Sequence, residues 1–84
     1  MKAKQLPVVL IEWQDSSQPT SAWEWVSKYT PQGAVPCVSV GYLVSDKKKV
    51  KALASNLGDG GMQMSGVIHI PTCCITRQVF LKES

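Results

Sequence analysis

Val35, Pro36, Cys37, Val38, Ser39, Val40, Gly41, Tyr42, Leu43 and Val44 form the stretch on which the fold turns. Val38, Val40, Tyr42 and Val44 alternate with Cys37, Ser39, Gly41 and Leu43, the period of two that belongs to a strand with one buried side. Gly41 inside it marks a bend or a bulge. A polar turn from Ser45 to Lys48 follows. Val50, Ala52 and Ala54 then alternate with Lys49, Lys51 and Leu53 as far as Asn56, so the second run is the antiparallel return of a hairpin. The lysine run is a turn, not a tail.

On the N-terminal side, Val8 to Gln14 is rich in β-branched and aromatic residues and is closed by Asp15, Ser16, Ser17 and Pro19, which reads as a first strand. Its odd positions Val9, Ile11 and Trp13 share the face expected to point inward. Ser21 and Glu24 have the spacing of a capping box, which predicts a short helix from Ala22 to Tyr29 that ends before Pro31 and Gly33. Its aromatic residues Trp23, Trp25 and Tyr29 lie along two adjacent stripes, so the helix can lid a barrel. On the C-terminal side, Gly58 to Gly61 is a flexible hairpin loop. Met62 to Ile70 resumes a strand until Pro71 removes a backbone donor, and Ile75 to Leu81 gives a last strand.

Five short strands with connections too brief for parallel crossovers predict an antiparallel sheet. In 84 residues, closure is the economical way to hide its edges, so the expected fold is mainly β, a small five-stranded SH3-like or Sm-like barrel with one short helix. The chain has room for one domain, spanning residues 1–84, with a thin core that favours self-association.

Composition narrows the function classes. The chain is 44% hydrophobic and 18% charged with a net charge of +3, the balance of a folded domain and not of a disordered tail. With Arg77 its only arginine, the chain has too little positive charge for strong sequence-independent binding to DNA, which neutralises many phosphates. No apolar run is long enough to span a membrane or to form a secretory signal core. Cys37, Cys73 and Cys74 are an odd set with two adjacent members, a poor disulfide framework, so reduced thiols in a cytoplasm are expected.

A catalytic inventory is missing from the sequence pattern. His69 is the single histidine and reads as a surface or structural residue, and no nucleophile-elbow or phosphate-loop motif is present. No metal or cofactor is expected, and the chain is not expected to be an enzyme. Three tryptophans in so short a chain are more informative, because its core has room for one or two and each indole N–H wants a partner. An indole beside Asp and Ser side chains offers a stacking plate next to hydrogen-bonding groups, which suits a nucleobase and its ribose. The expected ligand site is therefore Trp13, Asp15, Ser16, Ser17 and Trp23, with Lys47, Lys48 and Lys49 or Arg77 of a neighbouring subunit near phosphates.

The order Trp13, Asp15, Ser16, then Trp23, then Cys37, Ser39, Val40, Gly41, Tyr42 and Leu43, then Ile70, Pro71 and Ile75, resembles a group of small phage and prophage accessory proteins. The resemblance runs from about Val8 to Leu81. Ala22 departs from it, standing where the group has glycine before the tryptophan. The resemblance implies a role against host defence, either sequestering a nucleotide-type immune signal or blocking a host defence protein. A weaker similarity to Sm-like barrels implies single-stranded RNA binding as a further alternative, with nucleic acid not favoured. The resulting expectation is a non-catalytic, cytoplasmic, homo-oligomeric anti-defence protein that holds a small nucleotide-type ligand.

Overall fold

The structure is a computed structural model that describes residues 5–16, 22–31 and 33–82. Five strands, β1 (Val8–Asp15), β2 (Val35–Asp46), β3 (Val50–Gly58), β4 (Gln63–Pro71) and β5 (Ile75–Leu81), form one sheet in the order β4-β3-β2-β1-β5. Every pairing is antiparallel. The alternation of the sequence thus places the strands, and the lysine run forms the β2–β3 turn, where the Lys47 N–H donates to Val50 O at 3.2 Å.

β2 is the spine. Its first half pairs with β1, from Val35↔Asp15 to Tyr42↔Val8, and its second half pairs with β3, from Tyr42↔Ala54 to Asp46↔Lys51. Between Leu43 and Ser45 the register shifts, the irregularity that lets a long strand turn from one partner to the other. Gly41 sits at the changeover because a β-carbon there would stand 2.8 Å from the carbonyl oxygen of Ala54. Glycine alone lets β3 approach so closely.

The sheet curls without closing. β4 and β5 lie at opposite edges, yet only Thr72–Cys74 separates them, folded as a 3-10 turn. Four residue steps reach at most ~14 Å, whereas five flat strands spaced ~4.8 Å apart would set the edges ~19 Å apart. Curvature follows from that shortfall. No ladder joins β4 to β5, however: β4 pairs with β3 and β5 with β1. The expected closed barrel is corrected to an open, curled sheet. Economy of edges favoured closure, but the two edge strands leave their shared turn along different partners, and the β3–β4 hairpin runs on through Asn56↔Ser65 to Gly58↔Gln63 beyond the last β2 pair. Ile68 and Phe80, at the two edges, remain exposed.

The expected helix is also corrected. From Ala22 to Tyr29 the chain holds only a single 3-10 turn, Val26–Lys28, closed by Lys28 N–H to Trp25 O at 3.0 Å. Ser21, half of the expected capping box, lies outside the described residues. A helix of eight residues gains too few backbone bonds to offset nucleation unless an apolar face packs. Here none does, since residues 22–31 are all exposed.

The core is thin and lies on the concave side. Val9, Ile11, Leu43, Leu53 and Ile70 make the buried cluster, with Trp13 and Ile75 packed against it. Each fully buried aliphatic side chain contributes about 1.5–3 kcal/mol. The inward positions of β1 are the odd ones, as its pattern predicts. In β2 the inward side is Cys37, Ser39, Gly41 and Leu43, which leaves Val38 and Val40 facing out. The chain is extended for its size, with a radius of gyration of 17.0 Å against about 12 Å for a compact domain of this length.

Candidate functional site

The expected site residues that the structure describes take different roles. Trp13, near the end of β1, is half-buried against the core, and its indole N–H donates to Ser39 Oγ at 3.0 Å. Its polar edge is therefore used by the fold. Asp15 is exposed and accepts the Ser16 N–H on Oδ1 at 2.8 Å, a bond that orients the carboxylate. Ser17 lies outside the described residues. Arg77, across the ladder from Glu12, reaches Glu12 Oε1 with Nη1 at 3.4 Å.

Along β2 the lysine turn lies beyond Asp46, at the other end from the Trp13–Cys37 pair, and backbone contacts link the two ends. The Thr72 N–H donates to Lys49 O at 2.8 Å, tying the β2–β3 turn to the Thr72–Cys74 turn, and Ile75 directly after that turn pairs with Trp13. Lys47 and Lys48 sit on the exposed side of this junction, as does Lys49. Asp46 holds Lys51 at 2.9 Å, whereas no ion pair engages Lys47, Lys48 or Lys49 among the described residues. Three ammonium groups are left for an anion.

The stretch between β1 and β2 adds what the sequence reading placed on a helix. Trp23 is fully exposed and Trp25 is 77% exposed, while Val26 and Tyr29 are also uncovered. Trp25, Tyr29, Glu24, Lys28 and Thr30 line a shallow cleft of about 340 Å³. The 3-10 turn makes it, by setting Trp25 and Tyr29 at its two ends as the flanking residues. The volume lies at the small end of the range for ligand pockets. The two aromatic side chains suit a planar ligand, and Lys28 offers it one cation beside the Glu24 carboxylate.

Comparison with protein-family models, curated proteins and solved structures gives no significant match. The chemistry of the site therefore rests on its own geometry.

His69 on β4 stands opposite Ala52 and is exposed. The three cysteines are free. Cys37 Sγ donates weakly to Val35 O at 3.5 Å, and Cys73 and Cys74 occupy the turn beside Trp13. Partial burial, then the Cys73 thiol beside it, then the Asp15 carboxylate push the Cys74 thiol upward from its ordinary pKa. That shift disfavours the thiolate and hence nucleophilic chemistry at Cys74. Among the described residues, no three His, Cys, Asp or Glu side chains gather as metal ligands, and no helix is long and apolar enough to cross a membrane.

Sequence reasoning took the indoles of the site from Trp13 and Trp23, whereas the structure packs Trp13 against the core, leaves Trp23 exposed and lines the cleft with Trp25 and Tyr29. Their spacing of four was visible in the sequence. As helical neighbours they would have formed a stripe against the sheet, so only the loss of the helix turns them into a cleft.

Proposed function

We propose that this chain is a phage-encoded, non-catalytic protein that self-associates in the host cytoplasm and sequesters a small nucleotide-derived immune signal. The observation that carries the reading is the uncovered aromatic cleft of Trp25 and Tyr29 with Lys28 at its wall. A nucleobase stacked on an aromatic ring gains about 1–3 kcal/mol, and each charge-assisted hydrogen bond to a phosphate adds about 1.5–3 kcal/mol. One base and two phosphates suffice for useful affinity after the costs of association. Sequestration asks only for binding without turnover. The order of the Trp, Asp, Ser and Ile-Pro elements, which resembles that of small phage accessory proteins, supports the anti-defence role.

The test is ligand protection. The protein is incubated with cyclic ADP-ribose-type or cyclic dinucleotide signals, separated from free ligand and heated. Intact signal recovered from the wild type, and not from Trp25→Ala, supports the reading. No retention of any of these signals by the wild type sinks it.

Trp23 favours a second reading. It is fully exposed and lines no part of the cleft, as a binding hot spot against a host protein would be. A stoichiometric host defence protein captured by the wild type, and lost with Trp23→Ala, would support an inhibitor of that protein in place of a signal sponge.

A further inference from the structure

The convex face of β5, β1 and β2 carries an apolar surface that the fold leaves unused. The register sets Leu81, Val8 and Tyr42 in one rank, Val79, Leu10 and Val40 in the next, and Arg77, Glu12 and Val38 in the third. Seven of these nine positions are apolar, and the two charged ones pair with each other at 3.4 Å. An antiparallel sheet with one face on the core ordinarily turns polar residues to the other. Here Val38 and Val40 are 64% and 55% exposed, and Leu81 is uncovered as well.

We infer that this face binds a second copy of the same chain, convex side to convex side. Three observations select that occupant. The chain exposes 7096 Å², whereas a compact 9.2 kDa protein exposes about 4,900 Å². The surplus is spread over the whole chain, the loop 22–31 and the β3–β4 arm included, and the face has room within it for the roughly 800 Å² per partner that a stable interface takes up. Charge points the same way. The Glu12–Arg77 pair makes the face neutral, so stacking two copies strands no unpaired charge, while an anionic partner would be drawn to Lys47, Lys48 and Lys49 instead. Layering is the third. A sheet whose two sides are both apolar needs a layer on each, and the concave side is filled by its own core cluster. A two-fold pairing supplies the missing layer with the same patch on both partners.

The inference rests on the self-association in the reading above and not on its ligand. The experiment is sedimentation velocity with native mass spectrometry on the full chain from 1 to 100 µM, with Val38→Lys and Val40→Lys, singly and together, and Trp25→Ala for comparison. The expected result is a wild-type dimer or a multiple of it, weakened at least tenfold by each lysine and lost in the double variant, while Trp25→Ala associates as the wild type does. Val40→Thr keeps the β-branched shape and guards against misfolding. It must weaken association with an unchanged circular dichroism spectrum, and failure to do so counts against the face. A wild type that is monomeric at 100 µM, including one that partitions onto lipid vesicles, removes both the face and self-association. A wild-type oligomer indifferent to both lysines removes the face alone.

Discussion

The indole Nε1 of Trp13 and the hydroxyl of Ser39 are joined by a 3.0 Å hydrogen bond that runs diagonally across the β1–β2 ladder, since Ser39 stands opposite Ile11 and Trp13 opposite Cys37. The bond settles which side of β2 faces in. A half-buried N–H needs an acceptor, and Ser39 provides one only if Cys37, Gly41 and Leu43 turn inward with it. Ser39→Ala leaves the N–H without this partner, at a cost of about 1–3 kcal/mol. For a domain of this size each kcal/mol lowers the melting temperature by about 4–8 °C. Thermal unfolding followed by circular dichroism reads the loss. In a Trp13→Phe background, which has no N–H to satisfy, Ser39→Ala is expected to have a much smaller effect.

Gly41 and Gly58 separate two uses of glycine. At Gly41 a β-carbon would meet the Ala54 carbonyl oxygen at 2.8 Å, and nothing lies within 4 Å of one at Gly58. Gly41→Ala must push β3 away from β2 or shift the bulge, a strain of about 1–3 kcal/mol. Gly58→Ala, at a φ of −135°, restricts the unfolded chain without strain and is neutral or stabilising by about 0.4–1 kcal/mol. Urea unfolding of the two variants should show opposite or clearly unequal shifts. Equal destabilisation would contradict the close approach.

Particular residues show how far the sequence could be read. The five strands were legible because alternation in β1, β2 and β3 and the breakers at Gly58–Gly61 and Pro71 are local signals. The face of β2 was not, because Val38, Val40, Tyr42 and Val44 and the set Cys37, Ser39, Gly41 and Leu43 alternate equally well. Hydrophobicity points to the valines, whereas the partner of the Trp13 N–H and the β3 contact at Gly41 put the other set inside. Closure was unreadable for a different reason. It depends on where β4 and β5 run after the Thr72–Cys74 turn, which no local pattern records. The helix failed because Ser21 and Glu24 describe a helix start and say nothing about whether a face of it will pack. Of the candidate site, the surplus of indole over core was legible, and which indole took the core was not.

The partition of the three tryptophans is directly measurable. Trp13 is packed against the core, and Trp23 and Trp25 lie open to solvent. The double variant Trp23→Phe, Trp25→Phe should keep a single blue-shifted emission that acrylamide quenches poorly. Trp13→Phe should instead leave a red-shifted emission that is quenched readily. Stability should divide the same way, with the surface pair changing it by less than about 0.5 kcal/mol. Poor quenching of the wild type would show that a partner copy or another segment covers the loop.

Cysteine chemistry at the Thr72–Cys74 turn should be ordered. Cys73 is exposed, and the Cys74 thiol is held protonated by its partial burial, by Cys73 and by Asp15. Iodoacetamide at pH 8 should label Cys73 before Cys74, as read by peptide mass spectrometry. Asp15→Asn removes one of the three causes and should speed labelling at Cys74. A thiol whose pKa is raised by folding keeps its proton when the unfolded chain releases one. This contribution to stability is therefore level below the ordinary thiol pKa of about 8.5 and falls as pH rises through it. Cys74→Ser should flatten the alkaline limb of a stability profile, and an unchanged limb would assign it elsewhere.

Thr72 carries the one buried side-chain oxygen or nitrogen without a hydrogen-bond partner among the described residues, its Oγ1. Its backbone is well used, donating to Lys49 O at 2.8 Å where the lysine turn meets the edge-to-edge connection. The hydroxyl thus loses water on folding and gains nothing in return, a penalty of about 1–3 kcal/mol when uncompensated. Valine has the same branched shape without the oxygen. Thr72→Val should leave the Lys49 contact intact, because that bond uses the backbone, and should stabilise the chain or at least not weaken it. Chemical denaturation against the wild type reads the sign. A loss above about 1 kcal/mol would mean that the hydroxyl has a partner in solution, and the place to look is the lysine turn beside it.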